Sequence, residues 1–199
     1  GCAVVGQSGD IAPADKLIYA LRDVTATVDS MPLIASSIMS KKLASGADAI
    51  VLDVKVGSGA FMKTLEDAKE LSELMVSIGK IAGKKVTAII TSMDEPLGHK
   101  IGNSLEVFEA IETLEGNGPK DLTEVVNVIT GHLLHHAGVS ASFEEGYKLS
   151  SETLKSGKAL ETFYQFVGAQ GGDVEYVKDK SKLISGTKRY EVKATKAGY

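Results

Sequence analysis

Two apolar segments with one amphipathic stretch between them constrain the fold of this chain most strongly. Residues 49–56 (AIVLDVKV) and 85–91 (KVTAIIT) contain apolar, mostly β-branched side chains at odd and even positions alike, which is typical of buried parallel strands. The stretch 64–83 has apolar residues at helical spacing, a Thr-x-x-Asp start and a glycine end. Strand, helix and strand in this order predict a βαβ unit with a right-handed crossover.

The remaining patterns extend this unit into an α/β fold. CAVV at 2–5 is typical of another short strand, and amphipathic helical patterns recur between residues 103 and 172. A helix predicted over 30–46 interrupts the alternation of strands and helices, which indicates a separate helical lobe. From about residue 184 the sequence becomes β-like. We therefore predict an α/β fold: a parallel mixed sheet flanked by helices, part of a small all-helical lobe, and the start of a C-terminal α+β domain.

Composition and charge exclude several functional classes. The 199 residues are 43% hydrophobic and 24% charged, which is ordinary for a soluble globular protein. The net charge of -4, with both signs interspersed, argues against nucleic acid as a partner, because phosphate binding requires a basic surface. No apolar run approaches the ~18 residues that indicate a membrane span, and no signal-peptide pattern is present.

The cysteine content bears on the cellular compartment of the protein, and the two chain ends bear on whether the chain is part of a longer one. The single cysteine, Cys2, excludes an internal disulfide and fits a reducing environment, so we predict a cytoplasmic protein. The chain begins without Met inside an apolar run and stops in a strand-like segment without a partner. We therefore expect an internal piece of a longer protein, whose site could be divided by the cut.

One helical stripe is a candidate ligand-binding surface. Ile34, Ser37 and Lys41 lie at positions i, i+3 and i+7 and present an apolar side chain, a hydroxyl and an ammonium in a row. Such a row suits a small planar polar ligand, and Arg22 adds a planar fork of donors. On the pattern alone, a solvated lysine and serine on the surface are the favoured interpretation.

Three other motifs are weaker candidates. KVGSGAFM (55–62) follows a parallel strand, where α/β proteins bind ligands, but it lacks a Walker A lysine and the full dinucleotide fingerprint, so a tight turn is favoured. His132, His135 and His136 have helical spacing, but no acidic or cysteine cluster completes a metal site, and packed or solvated histidines are favoured. GQSGDIAPADK (6–16) lacks a nucleophile elbow and is predicted to be a loop.

A long series of motifs resembles one enzyme family. YALRDVTATVDS, followed by ASSIMSKK and LDVKVGSGAF, is close to a signature of the pyrimidine-nucleoside and thymidine phosphorylases. The similarity continues through MDEPLG, GNSLEVFEAIETLEGNGP and AQGGD over nearly the whole chain. The resemblance implies reversible phosphorolysis, in which phosphate attacks C1′ of uridine, thymidine or deoxyuridine and releases the base and a (deoxy)ribose 1-phosphate. It also implies that closure of a helical lobe on an α/β lobe brings base and phosphate together.

The same resemblance implies a base-binding site. Arg22, Ser37 and Lys41 stand where the family contacts the carbonyl oxygens and N3 of the pyrimidine. As catalytic residues, Arg22 and Lys41 would stabilise the negative charge that develops on the departing base. The ring and its 5-substituent would pack on apolar and aromatic side chains, namely Tyr19, Val28, Ile34 and Phe61.

The phosphate half of the site and a monovalent cation are also implied. By resemblance, the phosphate ligands and the candidate proton-donating histidine precede residue 1. A K⁺ ion would be held at Leu97, Lys100 and Glu109, the first two through backbone carbonyls. Because its other ligands also lie upstream, we expect this chain to bind the ion weakly.

Domain organisation and partners follow from the resemblance as well. Residues 1–16 and 48–183 would form the α/β lobe, 17–47 the helical lobe segment that also contacts the second subunit of a homodimer, and 184–199 the start of the C-terminal domain. Two alternatives remain: a non-catalytic base-binding or dimerisation fragment, and a related phosphoribosyltransferase. The base-contacting signature favours the phosphorylase, and without phosphate ligands the fragment alone is expected to be inactive.

Overall fold

The computed structural model describes residues 2–4 and 11–196 of the chain. In this part of the chain, helices surround one two-stranded sheet. In chain order the elements are α1 (Pro13–Val24), α2 (Met31–Ala44), β1 (Ala49–Val56), α3 (Leu65–Ile81), β2 (Lys85–Ser92), α4 (Asn103–Leu114), α5 (Lys120–His136), α6 (Phe143–Lys155), α7 (Lys158–Ala169), α8 (Val174–Lys178) and a 3₁₀ helix (Lys180–Ile184).

The predicted βαβ unit is confirmed. Strands β1 and β2 pair in parallel, with Ala49 opposite Lys85 and Val56 opposite Ser92, and α3 makes the crossover. The predicted cap of α3 is also present, because the Thr64 hydroxyl accepts a hydrogen bond from the Asp67 backbone N–H at 3.2 Å. The α/β fold class inferred from the sequence is therefore correct.

The main apolar core lies between one face of this sheet and the helices α2 and α3. Leu52 and Val54 of β1 are buried there together with Met39 of α2 and Met75 of α3. The opposite face of the sheet is covered by α5, whose last residue, His136, contacts the N-terminal end of β2. Because α2 joins this core, its position relative to the end of β1 is determined by apolar burial.

The two strands expected near the chain ends are absent from the described residues. Residues 2–4 form no strand, and the backbone N–H and carbonyl of Val4 form hydrogen bonds with the side-chain amide of Gln170. Val5 lies outside the described residues. Residues 187–194 form no strand, and Tyr190 is 90% exposed. A strand requires a partner for its backbone groups, and neither segment finds one in the described part of the chain.

The boundary of α1 differs from the sequence prediction. The segment expected to be a loop over 6–16 already contains the first turn of α1 from Pro13 onward, whereas its residues 6–10 lie outside the described residues. Pro13 is suited to a first helical turn because its missing N–H has no partner there. Helix α4 starts at Asn103, where the helical pattern begins, and Gly102 is its cap.

None of the helices in the described ranges combines the length and apolar character that crossing a membrane requires.

Gly79 in α3 allows the helix to approach β2 closely, and this contact generates a prediction about stability. A Cβ on Gly79 would overlap Cγ2 of Val86 and would lie 3.3 Å from Cε of Met39. Gly79→Ala should therefore lower the free energy of unfolding by about 1–3 kcal/mol in urea denaturation, although alanine favours helix. In the Val86→Ala background the same substitution should cost much less, and an equal cost in both backgrounds would contradict the predicted contact.

Candidate functional site

A cavity of about 180 Å³ lies between α1, α2 and the loop that follows β1. It brings together residues from three separate segments of the chain. The lining residues are Tyr19, Arg22, Val28, Ile34, Ser37, Ile38, Lys41 and Phe61. All seven residues that the resemblance places around the base are in this list, and Ile38 is the one lining residue that sequence reasoning did not name.

Helix α2 contributes the central row of the cavity. Pro32 occupies its first turn, and Ser30 precedes the helix as the N-cap without a side-chain capping bond. Ser37 is 8% exposed and accepts a hydrogen bond from the Lys41 ammonium at 2.9 Å. The interpretation of this row as solvated surface is therefore wrong for Ser37, because the hydroxyl is buried beside a paired cation.

Arg22, at the end of α1, is 4% exposed and organises the segment between α1 and α2. Its guanidinium donates to the backbone carbonyls of Thr27 (3.4 Å), Leu33 (3.5 Å) and Val28. It also lies 5.4 Å from the ring centroid of Tyr19. A guanidinium has five N–H donors, so this clamp leaves donors for a ligand in the cavity. The same side chain thus shapes the cavity and contributes charge to it.

Asp15 is a residue of this region that the sequence analysis did not identify. Its carboxylate lies 2.6 Å from the Lys41 ammonium, and the residue is 8% exposed. Burial alone would raise the pKa of Asp15, but the hydrogen bond from Lys41 and the charges of Lys41 and Arg22 outweigh burial and lower it below its usual value. The sequence indicates only the position of Asp15 in a helix, because Pro13 followed two residues later by an acid is typical of a first helical turn.

The charges around the cavity suit a planar ligand with several hydrogen-bond acceptors. Arg22 and Lys41 bring two positive charges to its wall, and Asp15 balances one of them. Ser37 adds a hydroxyl, and apolar and aromatic side chains line the rest of the wall. Charged donors in such a partly desolvated setting bind an anionic or polarised ring more strongly than they would in water.

A second, larger cavity of about 660 Å³ contains the residues expected at the monovalent cation. Leu97, Lys100 and Glu109 all line it. Glu109 is 3% exposed, and its carboxylate accepts hydrogen bonds from the backbone N–H groups of His99 (2.9 Å) and Lys100 (3.4 Å). The Lys100 ammonium pairs with Glu112 at 2.5 Å instead. Among the described residues, Glu109 is therefore a buried carboxylate without an ion-pair partner.

The glycine-rich segment after β1 forms a turn held against the end of β2. Gly57 adopts a φ of 132°, which glycine tolerates, and a Cβ there would lie 2.6 Å from the Asp94 carboxylate. Asp94 accepts a hydrogen bond from the Ser58 backbone N–H at 2.7 Å. The tight-turn interpretation of this motif agrees with that geometry, and the turn presents Phe61 to the 180 Å³ cavity.

Two of the three histidines of α5 are engaged in packing or hydrogen-bonding contacts, and the third, His135, is exposed. The His132 ring stacks on Phe143 with centroids 4.3 Å apart, and His136 hydrogen-bonds Thr87 at 2.8 Å. Burial lowers the pKa of both rings below the usual histidine value. In residues 2–4 and 11–196 no three His, Cys, Asp or Glu side chains form a group that could hold a metal ion.

Comparison with known proteins gives the family of the chain. A family model described as "Glycosyl transferase family, a/b domain" matches residues 1–160. The chain belongs to this glycosyl transferase family. The match includes α1, α2 and the whole βαβ unit, so both cavities lie within the family domain.

The names of the curated relatives of this glycosyl transferase-family chain describe a narrower group of enzymes than the family model does. It is 56% identical over 197 residues to proteins named pyrimidine-nucleoside phosphorylase from Geobacillus stearothermophilus, Staphylococcus epidermidis and Staphylococcus aureus. The aligned region is 99% of this chain and 46% of each relative, so the chain spans about half the length of these relatives. The resemblance inferred from the motifs is thereby confirmed.

The backbone clamp of Arg22 generates a prediction about local order. Arg22→Lys keeps the charge but replaces the planar fork, which donates to three carbonyls, with a single ammonium. Amide hydrogen exchange in residues 25–30, measured by mass spectrometry, should accelerate about tenfold or more while that of α3 stays unchanged. Arg189→Lys, in the exposed tail, is the matched control. Unchanged exchange over 25–30 would contradict the clamp.

Proposed function

We propose that this chain carries the base-binding half of a pyrimidine-nucleoside phosphorylase. The reaction is the reversible phosphorolysis of uridine, thymidine or deoxyuridine to the free base and a (deoxy)ribose 1-phosphate. The observation that carries the proposal is the cavity of about 180 Å³, where a buried arginine, a lysine and a serine meet apolar and aromatic side chains. The 56% identity to proteins of that name supports the choice of substrate class.

The roles of the polar residues follow from the charge that develops in this reaction. As the glycosidic bond breaks, its electron pair moves into the pyrimidine ring and onto the carbonyl oxygens. Lys41 and the remaining donors of Arg22 stabilise that anionic ring, and Ser37 provides a neutral hydrogen bond. Because the charge grows toward the transition state, fixed cations at the base accelerate departure more than they strengthen substrate binding.

The apolar residues have a complementary role. Tyr19, Val28, Ile34 and Phe61 pack on the faces and edge of the ring, and they exclude water that would compete with phosphate for C1′. Phe61 is 71% exposed, so its ring is accessible to a ligand that enters the cavity. Phosphate is the co-substrate, and we assign its ligands to the part of the relatives that this chain does not cover.

Potassium is the cofactor that the family resemblance implies, and the chemistry of Glu109 fits it in part. A buried carboxylate without an ion-pair partner in the described residues supplies a hard oxygen donor. The backbone carbonyls of Leu97 and Lys100 would add two more, which is less than a full shell for a large cation. The ion would neutralise Glu109 and hold the loop over 97–100, and binding to this chain alone should be weak.

Assembly and location complete the proposal. The helical lobe segment 17–47 would make the contact of a homodimer, and α1 exposes Leu17, Leu21 and Val24 by 58–80%. A cytoplasmic location suits an enzyme of nucleoside salvage. The division into lobes at 1–16, 17–47, 48–183 and 184–199 remains a prediction.

The second candidate function is base binding without turnover. It is favoured by the fact that the chain spans 46% of the relatives' length, so it can hold the base without positioning phosphate. Assays of uridine phosphorolysis separate the two: turnover by the 199 residues alone would contradict the assignment of the phosphate ligands to the uncovered part. Binding of uracil without turnover is the expected result.

The lysine of the cavity provides the direct test of base recognition. Lys41→Ala should weaken uracil binding by about tenfold or more, measured by isothermal titration or ligand-observed NMR, because a charged hydrogen-bond donor is lost. Lys42→Ala changes the next residue of the same helix, which is exposed and does not line the cavity, and should bind as the unaltered chain does. Equal affinity of the two variants would reject the role of Lys41.

The cation proposal predicts an ion-specific effect on stability. In KCl, compared with tetramethylammonium chloride at the same ionic strength, the melting temperature of the chain should rise by about 1–2 °C. Glu109→Gln should abolish this difference, whatever its effect on the melting temperature itself. A difference that survives the substitution would mean that K⁺ binds elsewhere or acts nonspecifically.

A further inference from the structure

The Asp15 carboxylate is a buried charged group that the proposed reaction does not use directly. It lies in the first turn of α1, is 8% exposed, and is absent from the residues that line the 180 Å³ cavity. Its closest charged neighbour is the Lys41 ammonium at 2.6 Å. A buried carboxylate costs free energy unless it is paired, so this contact accounts for its presence in the fold.

The geometry of Lys41 gives this contact a consequence for the cavity. An ammonium has three N–H donors. One points to Asp15 (2.6 Å) and one to Ser37 (2.9 Å), so the direction of the third is determined by the tetrahedral nitrogen. A lysine side chain is otherwise flexible and loses rotamer entropy when a ligand orders it. Held by two partners on different helices, Lys41 is already ordered before a ligand arrives.

The balance of charges around the cavity also favours an ordered Lys41. Arg22 and Lys41 both line the cavity, and without Asp15 their like charges would face each other in a partly desolvated space. Repulsion would favour Lys41 conformations that extend into solvent, which its 27% exposure allows. The neighbours of Asp15 keep it in its anionic form, so its compensating charge is present at neutral pH.

We propose that Asp15 is the positioning residue for Lys41: it orders the ammonium so that one N–H remains directed at an acceptor oxygen of the bound base. This inference rests on the proposed function for the identity of the ligand, but the contact on which it depends can be tested without any ligand. The acceptor is a carbonyl oxygen of a pyrimidine, and the same ammonium contacts it in the ground state and, more strongly, as the base departs.

The ligand-free test measures the reactivity of the Lys41 amine. The chain is treated briefly with an amine-acetylating ester, and acetylation of Lys41 relative to Lys42 is quantified by peptide mass spectrometry. Asp15→Asn should raise this ratio about tenfold, because the amine loses a charge-assisted hydrogen bond that restrains and shields it. Asp23→Asn, an exposed acid on the same helix, should leave the ratio unchanged. An unchanged ratio in Asp15→Asn would overturn the proposal.

The ligand-dependent test asks whether Asp15 acts through Lys41. Asp15→Asn should weaken uracil binding about tenfold in the unaltered chain and have little further effect in the Lys41→Ala background. An equal loss in both backgrounds would assign Asp15 a role independent of Lys41 and overturn the proposal. If the unaltered chain fails to bind uracil while the acetylation ratio still responds, the proposed function fails and the positioning contact stands.

A conservative variant tests whether misfolding causes the effects of Asp15→Asn on acetylation and uracil binding. Asp15→Glu keeps the charge, and it should restore both the acetylation ratio and uracil affinity toward those of the unaltered chain. Far-UV circular dichroism and urea denaturation verify that each variant is folded. If Asp15→Asn does not fold, the comparison is made between Asp15→Glu and Ser37→Ala, which removes the other partner of Lys41. An Asp15→Glu chain that is folded but has the reactivity of an unpaired Lys41 would also overturn the proposal.

Discussion

Burial of one face of a two-stranded parallel sheet under α2 and α3 is the interaction on which the candidate site depends. Two parallel strands are not stable by themselves, and the apolar side chains of β1 must be covered. Helix α2 supplies part of that cover through Ala35 and Met39, which are 0% and 1% exposed. The cavity row at Ile34, Ser37 and Lys41 belongs to the same helix, so packing of the core fixes its position.

The cavity itself is built by polar contacts that have no role in the core. The Arg22 guanidinium donates hydrogen bonds to backbone carbonyls between α1 and the start of α2. The ion pair between Asp15 and Lys41 connects α1 to α2. Such buried polar contacts contribute modest net stability, but each leaves a costly unpaired group when it is broken. They therefore specify one arrangement of the two helices, and that arrangement brings two cations to one small cavity.

Much of the fold followed from local patterns because short-range physics determines those parts. Apolar runs of β-branched residues predicted β1 and β2, and the Thr64 and Asp67 pair predicted the start of α3. The strands expected over 2–5 and after residue 184 are unpaired in the described residues. Strand formation depends on a partner strand distant in sequence, which a local pattern cannot supply.

The candidate site shows the same division between local and distant information. Helical spacing alone placed Ile34, Ser37 and Lys41 on one row but favoured a solvated surface, and the family resemblance named the base-site residues. Nothing in the sequence around 13–16 indicated that Asp15 would reach Lys41 on the next helix.

The sequence by itself determined the βαβ unit, the helix with its row of ligand-binding candidates, and the family to which the chain belongs. Only the tertiary structure decided that Arg22 is buried against backbone carbonyls, and that Asp15 pairs with Lys41 across 26 positions in the chain. The physical reason is that periodicity and capping act within a few residues, whereas burial and ion pairing depend on which surfaces the core brings into contact.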